Sequence, residues 1–165
     1  MSPVTEPSSL SYAAIREYAE RVGDHYDIYD RVGTCDVRTL VRHLGGTVEY
    51  KDTPESSHVD AKGRFVIYLP HETSSRRDRF TIAHELGHYF LHYLHPGRKS
   101  PLTFGRGQRN VAETQANVFA SSLLMPAAKF RKQFEKVDGD IYRLARIFEV
   151  SPAAVEVRAQ VLGLP

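Results

Sequence analysis

Two long stretches of the chain carry apolar residues at helical spacing. In the first, Phe80, Ala83, Gly87, Phe90, Leu91 and Leu94 fall on one face; in the second, Ala112, Ala116, Phe119, Ala120, Leu123 and Leu124 do. The first helix is expected from about Arg76 to about His95. Ser75-Arg76-Arg77-Asp78 opens it in the manner of a capping box and Pro96-Gly97 stops it, while the second begins near Asn110. Shorter patterns surround these two. Leu10 to Val22 reads as an amphipathic helix with Ala13, Ile15, Tyr18, Ala19 and Val22 on its apolar side, and Val37 to Leu44 as a short helix ended by Gly45-Gly46. Thr47 to Lys51 and Phe65 to Leu69 read as strands, with a polar turn region from Asp52 to Ser57 between them. Near the C-terminal end, Ile141 to Phe148 and Pro152 to Leu162 read as helix, short turn, helix, with Ser151 capping the second and Pro152 in its first turn. The pattern predicts an α+β fold, with helices packed around a short, mostly antiparallel sheet and a C-terminal helical hairpin. Residues 1–9, rich in Ser and Pro, read as a flexible tail; 10–165 read as a single domain whose segment 140–165 has a helix-turn-helix rhythm.

The chemistry sits on the first long helix. His84-Glu85-Leu86-Gly87-His88 is an HExxH sequence, and on a helix positions i and i+4 lie one turn apart on the same face. Two imidazoles so placed can converge on one metal ion at the edge of the apolar stripe, with Glu85 beside it as a general base toward an attacking water. A catalytic zinc site needs a third protein ligand and keeps its fourth position open. Glu113, near the start of the second long helix, is the candidate; Asn117, one turn later, is placed to orient a ligand imidazole through its other ring nitrogen. Alternatives remain at this point. Asn110 followed three residues later by Glu113 is itself a helix-start signature, and His92 and His95 are rival ligands. His92 lies a further turn along the same helix, about 6 Å up the axis, which suits a residue behind the ligands or in the pocket wall better than a ligand.

These residues resemble a known family. RFTIAHELGHYFLH followed by AETQANVFASSLLMP is similar to the ImmA/IrrE family of metallopeptidases, in which an HExxH helix precedes an E-x-x-A-N-x-F-A-x-x-L-L-M-P segment. The resemblance implies a small zincin-like domain with a gluzincin-like site: His84, His88 and Glu113 as metal ligands, Glu85 as the catalytic glutamate, Asn117 at the motif position one turn after the ligand. It also implies a zinc-dependent endopeptidase that cleaves a transcriptional repressor, often a helix-turn-helix protein, and so relieves repression. Two other readings stand beside it: a non-catalytic metal-containing regulator that binds such a partner, and a DNA-binding regulator working through its C-terminal helices.

Composition narrows this further. A chain of 165 residues, 41% hydrophobic and 25% charged, suits one core. A net charge of +2 is a weak basis for nucleic-acid binding, and Arg158 is the one strongly DNA-competent side chain on the last helix. No apolar run is long enough to span a bilayer and MSPVTEPSSLS lacks the sections of a signal peptide, so a cytoplasmic protein is expected. The single cysteine, Cys35, excludes an internal disulfide. Zinc suits a His, His, Glu set, with manganese or iron as alternatives. Three further questions are left to the structure. Phe65 to Leu69 is a candidate sheet edge for holding an extended substrate, or else an interior strand. Pro96 to Arg109 is a basic, glycine-containing loop, either a lid or a plain connector. A donor to the tetrahedral intermediate is to be sought among His71, Tyr89, His92 and Arg109.

Overall fold

The structure is a computed structural model that describes residues 4–165. Helix α1 (Tyr12–Tyr26) starts where Ser11 accepts a hydrogen bond from the Ala14 amide, and α2 (Val37–His43) starts in the same way at Asp36. Strands β1 (Gly46–Tyr50), β2 (Glu55–Ala61) and β3 (Arg64–Leu69) follow, then α3 (Ser75–His88). The chain continues from α3 without a break into π-helical turns over Tyr89–Leu94. Strand β4 (Leu102–Gly105) leads to α4 (Val111–Leu124), α5 (Ala127–Lys136), α6 (Ile141–Phe148) and α7 (Pro152–Val161). The sheet order is β1-β3-β2-β4; β1 runs parallel to β3, and the other two pairings are antiparallel. The α+β class and the mostly antiparallel sheet are as expected.

Helix α4 is the centre of the packing, with α3 on one side and α1 on another. Its predicted apolar face, Ala112, Ala116, Phe119, Ala120, Leu123 and Leu124, is wholly buried. Burying a side chain such as Phe119 contributes roughly 1.5–3 kcal/mol relative to leaving it exposed. Gly87 is what lets α3 approach: a Cβ there would lie 3.1 Å from the Ala116 Cα and from the Phe119 Cβ. Helix α3 is buried more widely than its stripe predicts, since Ile82 and Leu86 on the other side are also fully buried, against the sheet and α2.

Several boundaries and elements differ from expectation. The α3 cap is Ser74, which accepts from the Arg77 amide, rather than Ser75. Strand β2 occupies part of the expected polar turn, because its buried residues include Ser56 and Ser57, whose polarity hides the strand pattern. The stretch read as an unstructured basic loop contains β4, and its Arg106 donates to the carbonyls of Thr53 and Tyr68 at 2.9 and 2.6 Å. The candidate edge Phe65 to Leu69 is β3, paired on both sides, so the exposed edges belong to β1 and β4. Residues 1–3 of the expected tail lie outside the described residues, and the tail is not free of the body at Ser8, which bonds to α4. In the hairpin, α6 and α7 form where predicted, yet Arg158 is only 2% exposed and its Nε donates to the Met125 carbonyl at the end of α4. That removes from α7 its one candidate cation for a phosphate backbone. Among the described residues no helix is long and apolar enough to cross a membrane.

Candidate metal centre

The close contact of α3 with α4 at Gly87 brings one margin of each helix together over a cavity of about 300 Å³. His84 and Glu85 line it from α3 and Glu113 from the first turn of α4, while His88, buried behind the lining, meets the cluster through Glu113. Glu113 Oε2 lies 3.2 Å from His84 Nε2 and 2.5 Å from His88 Nε2. Asn110 does cap α4, accepting from the Glu113 amide at 3.0 Å, but the Glu113 carboxylate is turned to the histidines. The helix-start reading therefore accounts for Asn110 and leaves the side chain of Glu113 to the site.

Electrostatics follows from this convergence. Burial works to raise the Glu113 carboxyl, but hydrogen bonds from His84 and His88 outweigh it and hold the group down at about 2. Burial likewise works to lower His84, and the bond to Glu113 with the charge of Glu85 overcomes it, leaving this imidazole raised. A carboxylate held low against an imidazole held high is a cluster stabilised by positive charge placed among its donor atoms. Two imidazole nitrogens and one carboxylate oxygen are also the donor types of catalytic zinc sites, so the residues fit that ion.

Glu85 has a different setting. Ligand atoms of His84, Glu85 and His88 lie within 4.8 Å of one another, which makes Glu85 a second carboxylate at the centre. Its Oε2 is 3.9 Å from His84 Nε2, farther than Glu113, and its Oε1 is taken up elsewhere. Ser57 Oγ donates to Oε1 at 2.5 Å, and Ser56 Oγ lies 3.0 Å from it and 3.1 Å from the Phe104 carbonyl. Two successive strand residues ordinarily point to opposite faces. Here the register of β2 against β4 shifts between Glu55 and Ser57, a bulge that lets both hydroxyls reach one oxygen.

A surrounding layer orients the histidines. His84 Nδ1 donates to Asn117 Oδ1 at 2.7 Å, the contact that an asparagine orienting this imidazole would make. His88, 1% exposed, stacks on Phe104 of β4 with ring centroids 4.6 Å apart, and its Nδ1 meets His92 Nδ1 at 2.8 Å. His92 thus stands behind His88 instead of beside the cavity; burial pushes its imidazole down to about 4, so its ring is neutral. Of the other proposed donors, His71 is exposed and paired with Asp52, and the Tyr89 hydroxyl accepts from the Gly63 amide away from the cavity. Arg109 lines an adjoining hollow with Glu113 and Asn117. His95 is exposed at the end of the π-helical turns, with its ring set against Tyr18. Cys35 is buried outside the cavity lining, its thiol pushed up to about 12 mainly by burial. Sequence reasoning missed Ser56, Ser57, Phe104 and Gln115, and it left the cavity-lining residues Gly105 to Gln108 inside a loop that was either a lid or a plain connector.

Comparison with known proteins agrees with this architecture. Residues 41–160 match the peptidase M78 family, described as the IrrE N-terminal-like domain. Among solved structures, a Mycobacterium tuberculosis transcriptional regulator shares the fold with a TM-score of 0.57 at 20% identity, over 86% of this chain and 44% of that one. The chain therefore spans less than half of that regulator's length. A search of curated proteins gives no match.

Proposed function

The chain belongs to the peptidase M78, IrrE N-terminal-like family, and from that premise we propose that it is a zinc-dependent endopeptidase that cleaves a transcriptional repressor or similar regulatory protein at a specific site, relieving repression. The observation that carries the reading is the convergence of His84 Nε2 and His88 Nε2 on the Glu113 carboxylate, beside a cavity lined by a further glutamate, Glu85, whose Oε1 is held by two serines. The regulatory side draws on the description of the structural neighbour as a transcriptional regulator.

His84 Nε2, His88 Nε2 and Glu113 are the groups that would hold the ion. Bound there, zinc would lower the pKa of a water molecule and polarise the scissile carbonyl. The chain's own residues do the rest. With Oε1 fixed by Ser56 and Ser57, Glu85 presents Oε2 to take the proton of the attacking water and deliver it to the leaving amine. The end of β4, Gly105 with Arg106 and Gly107, lines the same cavity, and β4 is a sheet edge with unpaired backbone groups on its outer side. An extended peptide added to that edge would bring its backbone past Glu85. Asn117 and Gln108 line the cavity as well, and their side-chain amides supply donors for a developing oxyanion.

The test uses the full chain with a helix-turn-helix repressor encoded beside it, reading cleavage by mass spectrometry and metal by elemental analysis. Glu85→Gln is expected to keep its metal and lose cleavage by about 10²- to 10⁴-fold. Cleavage at the parent rate by that variant would overturn the peptidase reading and favour a regulator that binds without cutting.

A further inference from the structure

Ser8 lies outside the stretch that matches the family, yet its backbone reaches the metal centre through a chain of hydrogen bonds. The Ser8 amide donates to Gln115 Oε1 at 2.9 Å, and Gln115 Nε2 donates back to the Ser8 carbonyl at 2.8 Å. This pairing matters because backbone polarity is fixed: an N–H only donates and a C=O only accepts. The side-chain amide of Gln115 is thereby held in one orientation, with Oε1 as the acceptor. That oxygen lies 2.9 Å from His92 Nε2, so His92 must carry its proton on Nε2. Two ring nitrogens 2.8 Å apart, His92 Nδ1 and His88 Nδ1, share one proton between them, and with the His92 proton committed to Nε2 the arrangement makes His88 the donor from Nδ1 and His92 the acceptor. His88 is left with Nε2 as the one nitrogen free to exchange a proton for a metal ion, and Nε2 is the nitrogen that faces Glu113.

We propose that the segment around Ser8 is a working part of the metal centre: its backbone, through Gln115 and His92, reserves His88 Nε2 for the metal. Gln115 and His92 are positioning residues, both nearly fully buried, and neither touches the cavity; the inference rests on the reading of His88 as a ligand. The relay needs no other charged group. It gives the N-terminal segment a means of setting metal affinity from outside the helices that bear the ligands: when Ser8 is docked the proton order is fixed, and when it is not the Gln115 amide is free to turn over and the order is lost. Partners behind a ligand imidazole typically contribute about 10- to 100-fold in metal affinity.

The experiment compares the full-length parent with Gln115→Met, which fills the space without an acceptor, Ser8→Pro, which deletes the amide donor together with the hydroxyl that accepts from the Leu10 amide, and Gln115→Glu, which keeps an acceptor for His92. Imidazole ¹⁵N spectra of the metal-free proteins report which nitrogen of His92 is protonated, and chelator competition reports zinc affinity. The expected result is His92 protonated at Nε2 in the parent and in Gln115→Glu, and divided between its two tautomers in Gln115→Met. Zinc affinity should fall about 10- to 100-fold in Gln115→Met and by a smaller factor in Ser8→Pro, while the His84 resonances stay in place and show an intact site. Parent tautomer and parent affinity in both Gln115→Met and Ser8→Pro would overturn the relay. A parent that shows the expected His92 tautomer but takes up no zinc would instead overturn the peptidase reading, because the tautomer is measured without metal.

Discussion

The helix pairs α3/α4 and α6/α7 invite the same expectation from sequence and resolve in opposite ways. Each is a pair of packed helices with polar residues that suggest chemistry: the HExxH histidines and Glu113 in the first, Arg158 in the second. All of these except His84 and Glu113 are nearly fully buried, so burial alone does not separate them. What separates them is where the buried polar atoms are aimed. His84 and His88 each spend one nitrogen on a neighbouring side chain and turn the other to the Glu113 carboxylate at the cavity wall. Arg158 gives its Nε to the Met125 carbonyl, closing the open end of α4. A buried polar group whose spare valence faces a cavity belongs to a site; one that completes a helix end belongs to the scaffold.

The sharpest way to break this contrast is Glu113→Ala, expected to take the protein from about one zinc per chain to none by elemental analysis, with the fold kept. Arg158→Met should do the reverse. It leaves the Met125 carbonyl without its partner, costs about 1–3 kcal/mol in denaturant unfolding, and leaves zinc stoichiometry unchanged; loss of zinc in this variant would erase the distinction. Gly87→Ala joins the two effects. Overpacking against Ala116 and Phe119 costs about 1–3 kcal/mol and the better helix propensity of alanine returns about 1 kcal/mol, so stability should fall by at most about 2 kcal/mol while the spread helices bind zinc more weakly. The smallest effect belongs to a cap outside both pairs. Asp36 caps α2, and its carboxyl lies below 3.8, chiefly through the hydrogen bond from the Thr39 hydroxyl. A group lowered on folding stabilises above its unfolded value and loses that contribution as pH falls through its folded value. Asp36→Ala should therefore cost about 1 kcal/mol near neutrality in urea unfolding, with the difference shrinking as pH is taken below 3.8.

The legible parts of the chain are those in which one helix periodicity carries the information. The apolar face of α4, the extents of α6 and α7, and the spacing of His84 and His88 could be read from residues alone, because each depends on neighbours three or four positions apart. Strands β2 and β4 could not. Glu55–Ala61 buries two serines whose purpose is visible only when Glu85 stands opposite, and Leu102–Gly105 is four residues long amid glycines and arginines. The contact of Glu113 with two imidazoles was legible as a possibility through the Glu113 and Asn117 spacing, whereas Gln115 carried no signal, since its partners are a backbone amide more than a hundred residues away and a histidine on another helix. Pairings set by tertiary approach leave no periodic mark.

The outer edge of β4 has one more consequence for a protein that works as proposed here. An edge that recognises a polypeptide through its main chain is indifferent to most side chains, and it demands that the target be straight over several residues. A segment coiled into a helix, or folded into a compact domain, fails that demand whatever its sequence. Choice of target would then be exercised as much by the partner's local melting as by its code, and a stretch of repressor that unravels when its own ligand or its operator is lost would mark itself for cutting.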